Sequence, residues 1–181
     1  MEQALTAVLE QCLDDLEAGV LERGSAYRWP ALATAGPAAR VVVLRELRRA
    51  PLRLSVYTDV RTAKVEQLRT DPRAELLFFD RDSLRQLRVA GRVTVHHGDD
   101  VARQAWGDRS HLQEDYARLF PPGSPSDADG AGALSGDGFD NFAVLRLDAE
   151  SLDWLQLSRE GHRRARFHAA EAGWDGSWVV P

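Results

Sequence analysis

The fold is decided by residues 84–95, which read LRQLRVAGRVTV. Apolar side chains recur at every second position, including Leu87, Val89 and Val93, and polar residues such as Gln86 stand between them. Successive side chains of a β-strand point to opposite sides, so this period of two is typical of a strand with one buried face. The stretch therefore predicts a half-buried strand in which Gln86 points away from the apolar row.

Further strands and a few helices are predicted on both sides of this stretch. An amphipathic helix spans residues 3–22, a short helix begins at Thr62, and another begins at Asp99 and continues loosely to Phe120. Strands are predicted at residues 40–45, 52–58, 74–79, 142–147, 151–157 and 164–169. Short strands with little helix between them favour a closed or partly closed antiparallel barrel over a parallel α/β sheet.

The composition limits the classes of partner that the chain can have. With 23 Lys+Arg and 28 Asp+Glu in 181 residues, the formal charge is −5, which attracts neither nucleic acid nor an acidic membrane. Cys12 is the single cysteine and falls on the apolar face of the first helix, which excludes an intrachain disulfide and predicts an inert buried thiol. No apolar run approaches the roughly 20 residues of a membrane span and no secretory signal is present, so we expect a soluble, cytoplasmic protein.

A local basic cluster is nevertheless available for an anion. Arg40 and Arg45 bracket one apolar strand, and Lys64 follows the next strand by one short turn. Guanidinium groups bind phosphate oxygens through paired charge-assisted hydrogen bonds, and the hydroxyls of Thr58 and Thr62 add further donors. The pattern predicts a phosphate site, with arginines that are merely solvated as the alternative.

Several stretches resemble the pyridoxamine 5′-phosphate oxidase family. Residues 40–45 resemble its Arg-hydrophobic-Val-Leu-Leu-Lys strand, residues 57–64 its Tyr-Thr strand end followed by Ser-Arg-Lys, and residues 85–87 its Arg-Gln-Val strand. In residues 154–181 a Trp, a His-x-Arg pair, an aromatic residue, a second Trp and a final Pro fall at the family spacing. These are Trp154, His162, Arg164, Phe167, Trp174 and Pro181.

The resemblance implies a fold, a cofactor and a set of site residues. The fold is mainly β (α+β), an antiparallel split β-barrel with peripheral helices, formed by one FMN-binding domain over residues 1–181 with an N-terminal helix in 1–24 and a flexible loop in 121–140. A homodimer with FMN at its interface and a small-molecule substrate are also implied. The implied FMN contacts are Arg40, Val41, Val42, Tyr57, Thr58, Arg61, Thr62, Lys64, Gln86, Trp154 and Arg164, and the implied substrate contacts are Arg45 and His162.

The chain also departs from the family pattern. Ala63 stands where the family has a phosphate-binding Arg, although Arg61 is close enough in sequence to reach the same anion. Glu160 stands where the substrate motif Arg-Leu-His has its Arg, and a carboxylate there repels a phosphate. Arg45 replaces a Lys. These differences favour flavin binding with a substrate other than the vitamin B6 phosphates.

Three kinds of function remain open at this stage. The first is an FMN-dependent oxidoreductase that uses either oxygen or a nicotinamide as its electron partner; no catalytic side chain is required, because the flavin carries out the redox chemistry. The second is a non-catalytic flavin- or haem-binding protein on the same barrel. The third is an interaction module without a ligand.

Other candidate residues receive structural interpretations. His96 and His97 do not form a metal pair, because adjacent residues of a strand point to opposite faces and no third ligand is evident. Trp106, Arg109 and Tyr116 are interpreted as packing residues.

Overall fold

The computed structural model describes residues 2–107, 113–125 and 133–181. Its helices are α1 (Glu2–Leu21), α2 (Ala63–Thr70), α3 (Asp100–Trp106) and the single turn α4 (Gln113–Tyr116). Its strands are β1 (Ala31–Thr34), β2 (Ala38–Val41), β3 (Leu44–Arg48), β4 (Arg53–Asp59), β5 (Arg73–Asp80), β6 (Arg85–His96), β7 (Phe142–Gln156), β8 (Arg163–Ala170) and β9 (Gly173–Val179). Strands therefore hold more of the described residues than helices do, as the alternating patterns predicted.

All the strand pairings are antiparallel, and β7 divides the sheet into two wings. The main order is β2-β1-β5-β6-β7-β4-β3, with β8 on β7 and β9 on β8. The first half of β7 pairs with β4 and the second half with β8, while β6 pairs along both halves. The wings enclose one apolar core, with helices packed around them. The predicted antiparallel split β-barrel with peripheral helices is confirmed.

The core is built from the alternating faces of the strands and from α1. Leu87, Val89 and Val93 are buried, while Gln86 lies on the opposite face of β6, as the alternation predicted. The helix α1 packs its apolar side, which includes Cys12 and Leu16, onto the same core. Burial raises the pKa of the Cys12 thiol to about 12, which keeps the thiol protonated and unreactive.

A smaller apolar cluster lies between β4, the start of β7 and the helices α3 and α4. The rings of Tyr57, Trp106 and Tyr116 all lie within 6 Å of the ring of Phe142, centroid to centroid. The interpretation of Trp106 and Tyr116 as packing residues is thus confirmed. Arg109 lies outside the described residues, as does the part of the predicted 121–140 loop at residues 126–132.

Three strand predictions are corrected by the structure. Residues 142–147 and 151–157 form one strand, because a bulge at Glu150 lets the pairing with β6 continue. The bulge brings backbone so close to Gly91 that a Cβ there would lie 2.0 Å from the carbonyl oxygen of Asp148. Residues 40–45 are divided between β2 and β3 and do not form one strand. The segment before Gly36, predicted as a loop, contains β1, which pairs with β2 and β5.

The first two helix predictions are confirmed with small shifts at their ends, but the third helix does not continue to Phe120: α3 ends at Trp106, and residues 117–120 after the single turn α4 are not helical. α2 begins after Thr62, and α3 begins after Asp99, whose carboxylate accepts a hydrogen bond from the backbone N–H of Ala102 at 2.9 Å. Capping of this kind satisfies an otherwise unpaired donor of the first turn. Among the described residues, no helix combines the length and the hydropathy needed to cross a membrane.

Candidate functional site

A cationic site lies at one end of the barrel interior, where α2 closes it. Arg40 faces inward from the edge strand β2, beside Leu32 of β1. Thr58, at the end of β4, is on the same side as the core residue Val56. Lys64 projects from the first turn of α2 towards Thr58. The fold therefore brings Arg40, Thr58, Thr62 and Lys64 together, and we call these four residues the cradle.

The guanidinium of Arg40 is held in place by two side chains that the sequence did not reveal. Its Nη1 donates to Thr34 Oγ1 at 2.9 Å, and its Nη2 donates to Gln67 Oε1 at 2.9 Å. Thr34 in turn donates to Gln67 Oε1 at 2.7 Å, which closes a triangle of hydrogen bonds. Burial lowers the pKa of Arg40, although an arginine keeps its charge throughout the physiological range.

The ammonium of Lys64 has hydroxyl partners and no carboxylate partner. Nζ donates to Thr58 Oγ1 at 2.9 Å and to Thr62 Oγ1 at 3.3 Å. Burial lowers the pKa of Lys64 and the nearby charge of Arg40 lowers it further, while the more distant Asp59 acts in the opposite direction. Within the described residues, no carboxylate lies at ion-pair distance from either cation. Lys64 is also the only lysine in a chain whose other basic residues are all arginines.

Arg61, predicted to reach the same anion, is directed elsewhere in this structure. Its Nε and Nη2 donate to the buried carboxylate of Asp59 at 3.0 and 2.6 Å. The same guanidinium donates to the carbonyl oxygens of Arg118 and Leu119 at 3.0 and 3.3 Å. Arg61 therefore ties the segment after α4 to the end of β4, and its role as a phosphate ligand stays a prediction.

The outer face of the sheet carries a second group of the predicted residues. Gln86, Leu155 and Arg164 lie side by side on β6, β7 and β8, with Phe79 of β5 next to Gln86. Val41 lies on the outer face of β2 and is 66% exposed. The structure thus brings Gln86 and Arg164 together, and it separates them from the cradle, which faces the barrel interior.

Val42 and Trp154 are placed inside the protein. Val42 is buried after the end of β2, and its N–H donates to the carbonyl oxygen of Pro30 at 2.9 Å. Trp154 points into the core between its strand neighbours Leu87 and Ala165. Its indole N–H is buried and has no hydrogen-bond partner within the part of the chain that is described.

The two predicted substrate residues lie far apart within one chain. The guanidinium of Arg45 lies over the ring of Tyr57, 5.9 Å from its centroid, and the hydroxyl of Tyr57 donates to Glu46 at 2.6 Å. His162 lies in the turn between β7 and β8, where its Nδ1 accepts a hydrogen bond from the Ser158 N–H at 3.2 Å.

The strand register gives the separation between this turn and the cradle. At one end of β5, Ala74 pairs with Thr34, which lies beside the cradle. At the other end of β5, Asp80 pairs with Arg85, which lies next to the turn. Ala74 and Asp80 are six residues apart on β5, which corresponds to roughly 20 Å of strand. A single copy of the chain therefore does not bring His162 to the cradle.

The turn also borders an open cleft. The cleft has a volume of about 560 Å³ and is lined by Glu160, His162 and their neighbours in the turn. Glu160 is exposed, and Arg163 also lines the cleft, so the cleft holds charges of both signs. A carboxylate where the family motif has an arginine makes the cleft less favourable for a phosphate than that motif would.

The adjacent histidines have separate structural partners. His96 Nδ1 lies 2.7 Å from a carboxylate oxygen of Asp99, and His97 Nε2 lies 2.9 Å from the carbonyl oxygen of Asp140. The described residues contain no group of three or more His, Cys, Asp or Glu side chains that could hold a metal ion.

Comparison with known proteins adds to this geometry. Residues 8–97 are matched by the model of the family "Pyridoxamine 5'-phosphate oxidase, FMN-binding domain". A pyridoxine/pyridoxamine 5′-phosphate oxidase 2 of Arabidopsis thaliana is 29% identical over 143 residues, which cover 70% of this chain and 72% of the relative.

Two solved structures share the fold. A pyridoxamine 5′-phosphate oxidase-related, FMN-binding protein from Nostoc punctiforme has a TM-score of 0.73 at 24% identity, covering 95% of this chain and 96% of the other. PhzG from Burkholderia lata, solved with tetrahydrophenazine-1-carboxylic acid, has a TM-score of 0.68 at 18% identity, covering 97% and 92%. The family match includes both cations of the cradle, so residues 8–97, which carry the cradle, are similar to the FMN-binding domain of the pyridoxamine 5′-phosphate oxidase family.

Proposed function

We propose that this protein is an FMN-dependent oxidoreductase that binds the phosphate of FMN in the cradle. The observation that carries the proposal is the charge balance of the cradle. Arg40 lies close enough to Lys64 for its positive charge to lower the pKa of Lys64. Neither cation has a carboxylate partner among the described residues. Two neighbouring cations in a partly buried site are costly unless an anion joins them.

The donor set fits a phosphate. A flavin phosphate is an anion with several acceptor oxygens, and the cradle offers a guanidinium, an ammonium and the hydroxyls of Thr58 and Thr62. Gln67 and Thr34 fix the orientation of the Arg40 fork, so little side-chain entropy is lost when the anion binds. Ala63 is exposed at the start of α2, at the position where the family has an arginine. The cradle therefore has one cation fewer than the phosphate site of the family.

The position of the two residue groups supports a dimer with FMN at its interface. Arg40 faces the barrel interior, whereas Gln86 and Arg164 lie on the outer face of the sheet. If both groups contact the same flavin, the outer face must come from a second copy of the chain. Exposed apolar side chains on this face, Val41, Leu77 and Phe79, are suited to such a contact.

FMN supplies the transfer of hydride or single electrons when it is bound. The residues of the chain bind the phosphate, orient the ring and select the substrate. Arg45 offers a fixed positive charge beside Tyr57, and His162 lies with Glu160 at the β7–β8 turn. Because Glu160 disfavours a phosphate, we propose a small-molecule substrate other than the vitamin B6 phosphates named for the plant relative.

The single lysine permits a direct test of cofactor binding. Besides the terminal amine, Lys64 carries the only amino group of the chain, so an amine-specific reagent followed by peptide mass spectrometry reports on the cradle alone. We expect FMN to protect Lys64 from the reagent and riboflavin, which lacks the phosphate, to protect it much less. The proposal is wrong if saturating FMN leaves the labelling rate of Lys64 unchanged.

Turnover is tested separately on the flavin-loaded protein. Under anaerobic conditions, the flavin absorption band is followed after addition of pyridoxine phosphate, pyridoxamine phosphate or a reduced nicotinamide. Bleaching by a B6 phosphate identifies an oxidase of the family type, and bleaching by the nicotinamide identifies a reductase. A flavin band that stays unchanged with all three, followed by a wider screen of small reductants without effect, contradicts the enzymatic part of the proposal.

A further inference from the structure

A ladder of ion pairs crosses the outer face of the sheet from β5 to β8. Glu75 pairs with both Nε and Nη2 of Arg88 at 2.8 Å. Arg164 pairs in the same two-pronged way with Asp153 at 2.8 Å. Arg166 Nε lies 3.0 Å and Arg88 Nη1 lies 3.7 Å from Asp153 Oδ2. Asp153 is therefore the acceptor shared by three arginines on the two strands that flank it.

The environment of Asp153 is suited to holding one geometry. Its side chain is only 14% exposed, and the side chain of Arg164 is 22% exposed. Two parallel hydrogen bonds fix the plane of a guanidinium as well as its position. The neighbouring charges of Arg164 and Arg166 lower the pKa of Asp153 although its burial opposes them, so the carboxylate stays ionised at neutral pH.

The ladder leaves one edge of the Arg164 guanidinium available. Asp153 takes Nε and Nη2, and Nη1 makes no hydrogen bond within the described residues. Arg164 belongs to a row of neighbouring residues that crosses the sheet from β8 to β5. Leu155 lies next to Arg164 in this row, followed by Gln86 and then by the partly exposed ring of Phe79. The row thus places an amide and a guanidinium edge beside the apolar side chains of Phe79 and Leu155.

We infer that Asp153 is a positioning residue for the flavin ring: it fixes the guanidinium of Arg164 so that Nη1 meets a polar edge of the isoalloxazine laid along this row. The inference rests on the proposed function, since it requires FMN at this surface. It assigns to Asp153 a role in cofactor binding that the sequence pattern did not indicate. Its charge also lies close to the ring, where nearby charges tune the electronic properties of a cofactor.

The test uses the full-length protein with Asp153→Asn, which keeps the shape of the side chain and removes its charge. We expect the Kd for FMN to rise by roughly tenfold, the cost of one well-formed polar contact. The midpoint potential of the bound flavin should become more positive, because the loss of a nearby negative charge favours the more negative reduced flavin. Asp153→Glu, which retains the charge, should recover most of the wild-type potential.

Control variants separate positioning from simple stabilisation of the sheet. Glu75→Gln removes the other carboxylate of the ladder without touching Arg164, and Arg166→Gln removes a competing partner of Asp153. Both should change thermal stability and leave the Kd for FMN unchanged. Glu75→Gln should also leave the potential of the flavin unchanged, whereas Arg166→Gln removes a positive charge beside Asp153 and should make the potential more negative. If Asp153→Asn shifts the melting temperature as Glu75→Gln does and changes neither flavin property, the inference is overturned.

Arg164→Lys covers the case in which Asp153→Asn folds poorly, and a double-mutant cycle of the two changes tests their coupling where both fold. Arg164→Lys retains the positive charge and loses the planar fork, so it should weaken FMN binding as much as Asp153→Asn does. If Asp153 acts through Arg164, adding Asp153→Asn to Arg164→Lys causes little further loss of affinity. Additive losses contradict the inference. The two proposals can fail separately. If Arg40→Ala with Lys64→Ala abolishes FMN binding while Asp153→Asn and Arg164→Lys leave it unchanged, the proposed function holds and only the role of Asp153 is wrong.

Discussion

The cradle and the outer-face ladder both hold arginines, but only the ladder provides carboxylates for its cations. In the ladder, Arg88 and Arg164 each pair with both oxygens of a carboxylate. In the cradle, Arg40 and Lys64 have only neutral oxygen partners among the described residues. A cation that already has its carboxylate stabilises the protein, whereas a cation held by hydroxyls and an amide is prepared for an external anion.

This difference separates binding residues from structural ones more reliably than residue type does. Arg61 illustrates the point, because it lies three residues from Lys64 in sequence and yet its guanidinium pairs with Asp59. Changes in the cradle should therefore affect FMN binding with little loss of stability. Changes in pairs for which no contact with FMN is proposed, such as Glu75 with Arg88, should do the reverse. The pair of Arg164 with Asp153 is the exception, because one edge of the Arg164 guanidinium is available to the flavin.

The largest effect is expected for Arg40→Ala combined with Lys64→Ala. Each cation contributes a charge-assisted hydrogen bond worth about 1.5–3 kcal/mol, so the double variant should bind FMN roughly 10²- to 10⁴-fold more weakly. The barrel should stay folded, because both side chains lie at its rim. Isothermal titration calorimetry and circular dichroism measure the two properties. As a matched control, Arg73→Ala with Arg103→Ala removes two exposed arginines that pair with Asp71 and Asp100; equal losses of affinity in the two double variants would contradict the comparison.

A smaller effect is expected from raising the pH. Lys64 must be protonated to bind the phosphate, and burial together with Arg40 lowers its pKa. FMN affinity should be full at neutral pH and should fall as the pH rises through this lowered pKa, earlier than for an ordinary lysine. Lys64→Arg should remove the fall, because an arginine does not lose its proton in this range. Identical pH profiles for the two proteins would show that Lys64 does not hold the phosphate.

A change confined to a structural pair should affect stability by about 1 kcal/mol or less. Glu75→Gln breaks the bidentate pair with Arg88. The side chains of Glu75 and Arg88 are 27% and 39% exposed, and partly exposed pairs contribute little to the free energy of unfolding. Urea unfolding should show the small loss while FMN binding stays as in the wild type. A tenfold loss of FMN affinity would show that the ladder as a whole, beyond Asp153 and Arg164, belongs to the cofactor site.

The smallest effect is expected at Asp15, on the inner side of α1. Burial raises the pKa of Asp15, and the Arg85 guanidinium 3.4 Å away only partly compensates. The folded-state pKa of Asp15 lies above the unfolded value, so the contribution of Asp15 to stability is most favourable below the unfolded pKa and falls as the pH rises through the folded pKa. Asp15→Asn should raise Tm slightly near neutral pH, by about 2–4 °C at most. Asp14→Asn, on the exposed side of the helix, should bring no gain; a lower Tm for Asp15→Asn would mean that its pair with Arg85 outweighs the burial of the charge.

The sequence predicted those parts of the fold whose pattern is local. The alternation at residues 84–95 and the helix starts at Thr62 and Asp99 were recognisable, because strand period and helix-start signals are properties of neighbouring residues. β1 was missed because its sequence, ALAT, lacks β-branched residues except Thr34, and its pairing on both sides stabilises it instead. The continuity of β7 depends on a bulge opposite Gly91, which only the tertiary structure reveals.

The site was predictable to a similar extent. Motif spacing nominated Arg40 and Lys64, and the structure brings them together. Gln67 was missed because a glutamine within a helix carries no signal of its own, and Asp153 was missed because its three arginine partners become neighbours only when β6, β7 and β8 pair. The opposite orientations of Arg40 and Gln86 likewise follow from strand register and could not be read from spacing.

The central claim is that the cradle binds the phosphate of FMN, and it is tested most directly by comparing FMN with riboflavin. The two flavins differ by the phosphate alone, so the ratio of their Kd values, measured by titration calorimetry or flavin fluorescence, gives what the phosphate contributes. We predict a ratio of roughly 100 or more for the wild type, corresponding to about 3 kcal/mol, and a ratio near one for Arg40→Ala with Lys64→Ala. Equal affinities of the wild-type protein for FMN and riboflavin would contradict the claim.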